Sequence, residues 1–157
     1  DKYSSTLKGY VQLGGEEVCL LLPQTYMNNS GEIVSGIEEL RDAFSHNDVL
    51  IVHDEIDIPF GTMRVSKGSG SGGHNGVKSL IEHVGNNDFA RLRIGIGPVI
   101  DGVLRKPQGD DGVAHFVLKQ FNSDEKKTHE DDIFKKVKSA IESWVKKGVE
   151  ETANLIN

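Results

Sequence analysis

Asp48-Val49-Leu50-Ile51-Val52-His53-Asp54-Glu55-Ile56-Asp57 is the stretch on which the fold class turns. Val49 to Val52 is continuously apolar and too short for a buried helix, so it reads as a strand covered on both faces. It runs straight into the polar cluster His53-Asp54-Glu55-Ile56-Asp57, placed at the strand's C-terminal end. Open α/β sheets set their ligands there. Upstream, Ile33, Val34, Ile37, Leu40 and Phe44 recur at helical spacing, and Ser30 or Asn29 can cap that helix through a side-chain oxygen. Downstream, Met63 and Val65 alternate inward along a strand from Gly61 to Lys67. A helix opening at His74-Asn75-Gly76 carries Val77, Leu80, Ile81 and Val84 and stops at Gly85. Arg91 to Gly97 is the next strand. Strands that alternate with helices make an α/β layered fold.

The two ends add to this core. Leu7 to Leu13 and Val18 to Leu22 read as strands joined at Gly14-Gly15, a hairpin that makes the sheet mixed rather than purely parallel. Val18 to Leu22 is continuously apolar, as in a strand covered on both faces, and Cys19 lies in it as packing rather than as a nucleophile, because burial disfavours its thiolate. Pro98 to Gly112 shows no periodicity and reads as a loop. The last long helix starts at Ser123 or Asp124, with Ser123 as its cap. It packs Ile133, Phe134, Val137, Ala140, Ile141, Trp144 and Val145 along one face and ends at Gly148. A shorter helix can follow from Glu150 to Ile156.

The chain has 157 residues, enough for one domain with a substantial core. A single cysteine excludes an intramolecular disulfide framework and a cysteine-based zinc site. No apolar run approaches the ~20 residues of a membrane-spanning helix. The net charge of −6 argues against indiscriminate nucleic-acid binding but leaves room for a local basic site. The chain opens Asp1-Lys2-Tyr3 without Met, as a processed or truncated product would, and any targeting segment could lie upstream.

Three clusters could carry chemistry. His53, Asp54, Glu55 and Asp57 could bind a divalent ion, but neighbours in a strand point to opposite faces, so His53 and Asp54 do not readily share one. Asp54 could instead orient a histidine from elsewhere, or simply bond backbone N–H groups. Gly68 to Gly76 can present N–H groups to a phosphate, yet it matches neither the P-loop nor the dinucleotide fingerprint, and a flexible connection fits it equally well. Tyr26-Met27-Asn28-Asn29-Ser30-Gly31 lies between a buried strand and a helix. Its asparagines are ordinary caps, unless the Asn28 amide faces a cleft and offers its donor and acceptor there. No Gly-x-Ser-x-Gly elbow is present, so a hydrolase that uses water fits better than one with a covalent nucleophile. Lys126, Lys127, Lys135, Lys136, Lys138, Lys146 and Lys147 crowd the last helix among acids, a mixed-charge solvated face.

Together these segments resemble the bacterial-type peptidyl-tRNA hydrolase family. The resemblance rests on Leu20-Leu21-Leu22-Pro23-Gln24-Thr25-Tyr26-Met27-Asn28-Asn29-Ser30-Gly31, Val52 to Pro59, Gly72-Gly73-His74-Asn75-Gly76 and Arg91 to Gly97, in that order and spacing. It runs over essentially all of residues 1–157 and is weakest from Pro98 to Asp111. It implies a single α/β domain, with a mixed central sheet flanked by helices, that cleaves the ester joining a peptide to its tRNA. It implies no metal and no organic cofactor, and a monomer in the cytoplasm or the mitochondrial matrix, with peptidyl-tRNA rather than a membrane as partner. Carried over by motif, Asp54, Asn28 and Asn75 are the catalytic residues, Asp54 as the carboxylate that orients the catalytic histidine. Tyr26, Met27, Asn28, His74 and Asn75 contact the substrate. Arg93 is similar to the arginine of a phosphate clamp, and Lys67, one place displaced, to its lysine partner.

The same resemblance marks what the sequence does not contain. The family opens with a strand bearing Gly-Leu-Gly-Asn-Pro-Gly and a helix after a Thr-Arg-His-Asn stretch, which supplies the histidine that activates water. Neither stretch occurs here, and none of the six histidines stands in that context. The chain is therefore expected to be N-terminally incomplete, to leave strand edges unpaired and to lack its general base. A non-catalytic RNA-binding member of the same fold is the alternative, and a remnant that makes only protein contacts is a third.

Overall fold

The computed structural model describes residues 6–157, the side chains of Asp110, His129 and Glu130 excepted. In chain order the elements are β1 (Thr6–Leu13), β2 (Glu16–Pro23), a 3₁₀ turn at Met27–Asn29, α1 (Glu32–Gly36), α2 (Glu38–Ser45), β3 (Leu50–Pro59), β4 (Met63–Lys67), α3 (Asn75–Val84) and β5 (Ala90–Gly97). There follow β6 (Val99–Ile100), β7 (Val103–Leu104), α4 (Gly109–Val117), α5 (Ser123–Thr128), a π-helical turn at His129–Ile133 and α6 (Phe134–Ile156). The alternation is that of an α/β fold, as the sequence implies. The chain gathers into two compact units. The first runs to Ile51 and includes Ser66–Ala90; the second combines Val52–Val65 with Arg91–Asn157.

In the first unit, Val34, Leu40, Phe44, Leu80 and Phe89 form a buried cluster, with Leu21, Ile33, Ile37 and Ile51 against it. Each such burial contributes about 1.5–3 kcal/mol. The Phe44 and Phe89 rings meet edge to face, centroids 5.5 Å apart. The helix expected from Ser30 to Phe44 is broken. Ile37 is extended (φ −126°, ψ 106°) between α1 and α2. That turn of backbone lets Ile37 lean on the cluster, and Gly36 just before it is the weakest helix former in the run. Nor does Ser30 cap a helix: its hydroxyl donates to the Met27 carbonyl at 2.8 Å. α3 is as expected, with His74 at its start and Gly85 in the left-handed region (φ 82°) at its end.

β1 and β2 pair antiparallel as foreseen, but they form a two-stranded sheet of their own, apart from the three-stranded ladder β3-β5-β4. The register sets Leu7 opposite Leu22 and Gly9 opposite Leu20 on one face. Leu7 is 61% and Leu22 59% exposed, and Cys19 on the other face is exposed as well. The expectation of a strand covered on both sides, with Cys19 as packing, is thus overturned. Within the described residues only Leu21 of this run reaches the buried cluster.

In the second unit β5 is the middle strand of the ladder. β3 is longer than the apolar run, and it carries His53 to Asp57 inside the strand rather than beyond its end. The predicted loop holds a hairpin, β6-β7, turning at Asp101-Gly102, both with positive φ. Asp-Gly is the dipeptide such a turn requires. The last helical region is capped one residue before the expected Ser123. The Asn122 side chain accepts from the Glu125 N–H at 2.9 Å, and Glu125 accepts from the Asn122 N–H at 2.8 Å. This reciprocal pair is a capping box. Ile133 and Ala140 are buried, but Phe134 is exposed, because it lies about 100° further round the helix than Ile133. Gly148 (φ 79°) interrupts α6 where the sequence predicted a stop.

Candidate active site

The first unit assembles one cluster from two short motifs. The 3₁₀ turn Met27–Asn29 lies against the start of α3, and the fit depends on glycine. A Cβ at Gly76 would come within 2.5 Å of the Met27 sulfur and 3.1 Å of the His74 ring. At Gly31 a Cβ would run into the Ser79 carbonyl, with His83 Nδ1 2.6 Å away. Because both positions lack a side chain, the turn seats directly on the helix. The Gly31 N–H then donates to Ser79 Oγ at 3.0 Å, a buried bond that pins the end of the turn. Ser79 was not among the residues read as functional; its place one turn after Gly76 on α3 was the available signal.

Tyr26 (85% exposed), Met27 and Asn28 therefore stand on the surface of the first unit, in a segment held from beneath. His74 is the N-cap of α3: its Nδ1 accepts the Val77 N–H at 3.2 Å. In the neutral ring the proton then sits on Nε2, which leaves no free ring lone pair to take a proton from water. Asn75 follows as the first helical residue and is exposed, its amide free of the cap. Lys67 also belongs to this unit, in an ion pair with Asp88 at 3.4 Å.

The second unit holds Asp54 and Arg93. Asp54 is half-buried within β3, and its carbonyl accepts a 2.6 Å bond from His53 Nδ1, so the buried His53 ring is tied to its neighbour's backbone. Arg93 Nε and Nη2 both donate to Glu55 Oε2, at 3.2 and 3.0 Å. Glu55 Oε1 accepts the Asp57 N–H. Asp57 itself is ion-paired with Lys106. Arg91, two residues before Arg93 on β5, is buried. Desolvation lowers its pKa, Arg93 lowers it further, and Glu55 opposes both. The sequence offers Glu55 only as part of a candidate metal cluster and gives Arg91 no role, although Arg91 and Arg93 share a strand face by the period of two. Among the described residues, no group of three or more His, Cys, Asp or Glu side chains is placed to hold a metal.

The peptidyl-tRNA hydrolase family model matches residues 1–157. The chain belongs to the peptidyl-tRNA hydrolase family. A family member from Syntrophotalea carbinolica is 42% identical over 144 residues, 91% of this chain and 70% of that protein. One from Shouchella clausii is 38% identical over 149 residues, 95% of this chain and 75% of its own. Among solved structures, peptidyl-tRNA hydrolase from Acinetobacter baumannii matches all of this chain and 74% of its own, with a TM-score of 0.78 at 32% identity. The α/β fold is thereby that of the peptidyl-tRNA hydrolases.

Proposed function

We propose that this chain hydrolyses the ester bond between peptide and tRNA in peptidyl-tRNA. The observation that carries the reading is the seating of Met27 on Gly76, which sets the Asn28 and Asn75 motifs on one surface. An amide at each position can accept from one substrate group and donate to another, so the pair suits a peptide backbone and the ester carbonyl next to it. An acyl ester of ribose is activated, and its cleavage needs a positioned water, a base and donors for the developing oxyanion. It needs no side-chain nucleophile, in keeping with the sequence.

Asp54 is assigned to orient the histidine that takes the proton from water. That histidine is not one of the six in this sequence. His74, the histidine nearest the amides in the first unit, spends Nδ1 on the helix cap. The assignment therefore rests on the histidine of the family's Thr-Arg-His-Asn stretch. Arg93 and Lys67 are assigned to phosphates of the tRNA, contacts that position without taking part in the chemistry. The reading further takes the protein to act as a monomer, in a compartment that carries out translation, without a metal or organic cofactor. No helix among the described residues is long and apolar enough to cross a membrane.

The test is hydrolysis of N-acetyl-aminoacyl-tRNA by the 157 residues alone and by the same chain fused behind the opening segment of a family member. The fusion is expected to be at least ~100-fold faster, the low end of a general-base contribution. Equal rates would remove the histidine of that opening segment from the mechanism, and no hydrolysis by either would remove the activity.

A further inference from the structure

We propose that Glu55 is a positioning residue that holds the Arg93 guanidinium in a single orientation for a phosphate of the substrate tRNA; this rests on the assignment of Arg93 to phosphate binding. The geometry is specific. Glu55 is almost fully buried, 4% exposed, whereas the Arg93 side chain is 26% exposed. One carboxylate oxygen takes the Nε and Nη2 edge of the guanidinium, and the other is fixed by the Asp57 N–H. The carboxylate therefore cannot swing away without breaking bonds on both oxygens. Nη1 stays outside the ion pair, so the opposite edge of the planar fork remains for a second anion.

Stability alone does not account for a carboxylate in this place. A buried ion pair is roughly matched in free energy by apolar residues of the same volume, so its worth lies in geometry. Arg91 makes the arrangement costlier still. It is 2% exposed and brings a second cation against Arg93, and the charge of Glu55 acts on both. A long arginine left to itself would spread over many rotamers, and each contact it made would first have to order them. Gripping one edge in advance removes that cost from tRNA binding.

The test measures the Kd of the full 157-residue chain for deacylated tRNA, which requires no catalysis, in wild type, Arg93→Ala, Glu55→Asp and the double variant. Glu55→Asp keeps the charge but withdraws the carboxylate by one methylene. Arg93→Ala should weaken binding roughly tenfold, the scale of one charge-assisted contact. Its slope of log Kd against log salt should fall by about one. Glu55→Asp should by itself reproduce most of that tenfold loss and add nothing in the Arg93→Ala background. An equal loss in both backgrounds, or none in either, overturns the positioning role. If Arg93→Ala leaves Kd unchanged, the phosphate assignment itself fails. Should Glu55→Asp not fold, Arg93→Lys serves instead, because it keeps the charge without the fork that Glu55 grips. It should bind as weakly as Arg93→Ala, and wild-type affinity in Arg93→Lys would overturn the proposal.

Discussion

The two units fix their candidate functional side chains by different physics. In the first, Tyr26, Met27 and Asn28 are held by what is absent, the side chains of Gly31 and Gly76, and by one neutral buried bond from Gly31 to Ser79. In the second, Arg93 is held by charge, on a buried carboxylate with another arginine beside it. Steric seating is indifferent to ionic strength and intolerant of a single methyl group. A charge cluster tolerates small changes of shape and fails when one sign is removed.

Removing the charge is the strongest way to break this comparison. Glu55→Gln removes the charge that Arg93 grips and that also acts on Arg91, and loss of one buried partner is expected to cost about 3 kcal/mol. For a chain of this length, that corresponds to a fall in Tm of roughly 6–12 °C. A thermal midpoint within 2 °C of wild type would show that the cluster is wetter, and more tolerant, than its burial indicates. A milder break is Gly76→Ala. Alanine favours the helix over glycine by ~1 kcal/mol, yet its Cβ meets the Met27 sulfur. The two effects should leave Tm nearly unchanged while kcat/KM of the fused, active chain falls about tenfold, close to 1.4 kcal/mol of transition-state binding. Loss of stability without loss of activity would mean that the seating serves the fold alone. The smallest effect sharpens the comparison by lying outside both sites. Asn122→Ala removes a helix cap and should cost about 1 kcal/mol in chemical denaturation without altering tRNA affinity.

Much of this was legible in the sequence, and the exceptions have a common origin. The apolar run Val49–Val52, the inward alternation of Met63 and Val65, and the caps of α3 are local signals, and the corresponding elements are present. The candidate site motifs are local in the same way, since Asn28 and Asn75 each stand in a short stretch with a turn residue beside it. What went astray depended on partners distant in sequence. β3 continues through Glu55 because Arg93, 38 residues on, neutralises a carboxylate that would otherwise end a buried strand. Ile37 leaves the helix to pack on the cluster of the first unit, which no window around it encodes. Cys19 and Leu22 look like core by composition, yet neither of the opposite faces they occupy is covered by the described residues. The β6-β7 hairpin is different, for its Asp101-Gly102 turn is a local signal, but flanking strands of two residues each are too short to show alternation.

The claim at the centre of the account is that Asp54 acts on the reaction through a histidine rather than on the fold. Asp54→Asn in the fused chain, measured for kcat, tRNA affinity and Tm together, tests it most directly. The account predicts a kcat lower by ~10²–10⁴-fold, as when the orienting carboxylate of a catalytic histidine loses its charge, with tRNA affinity and Tm near wild type. A stable Asp54→Asn protein with unaltered turnover would contradict it.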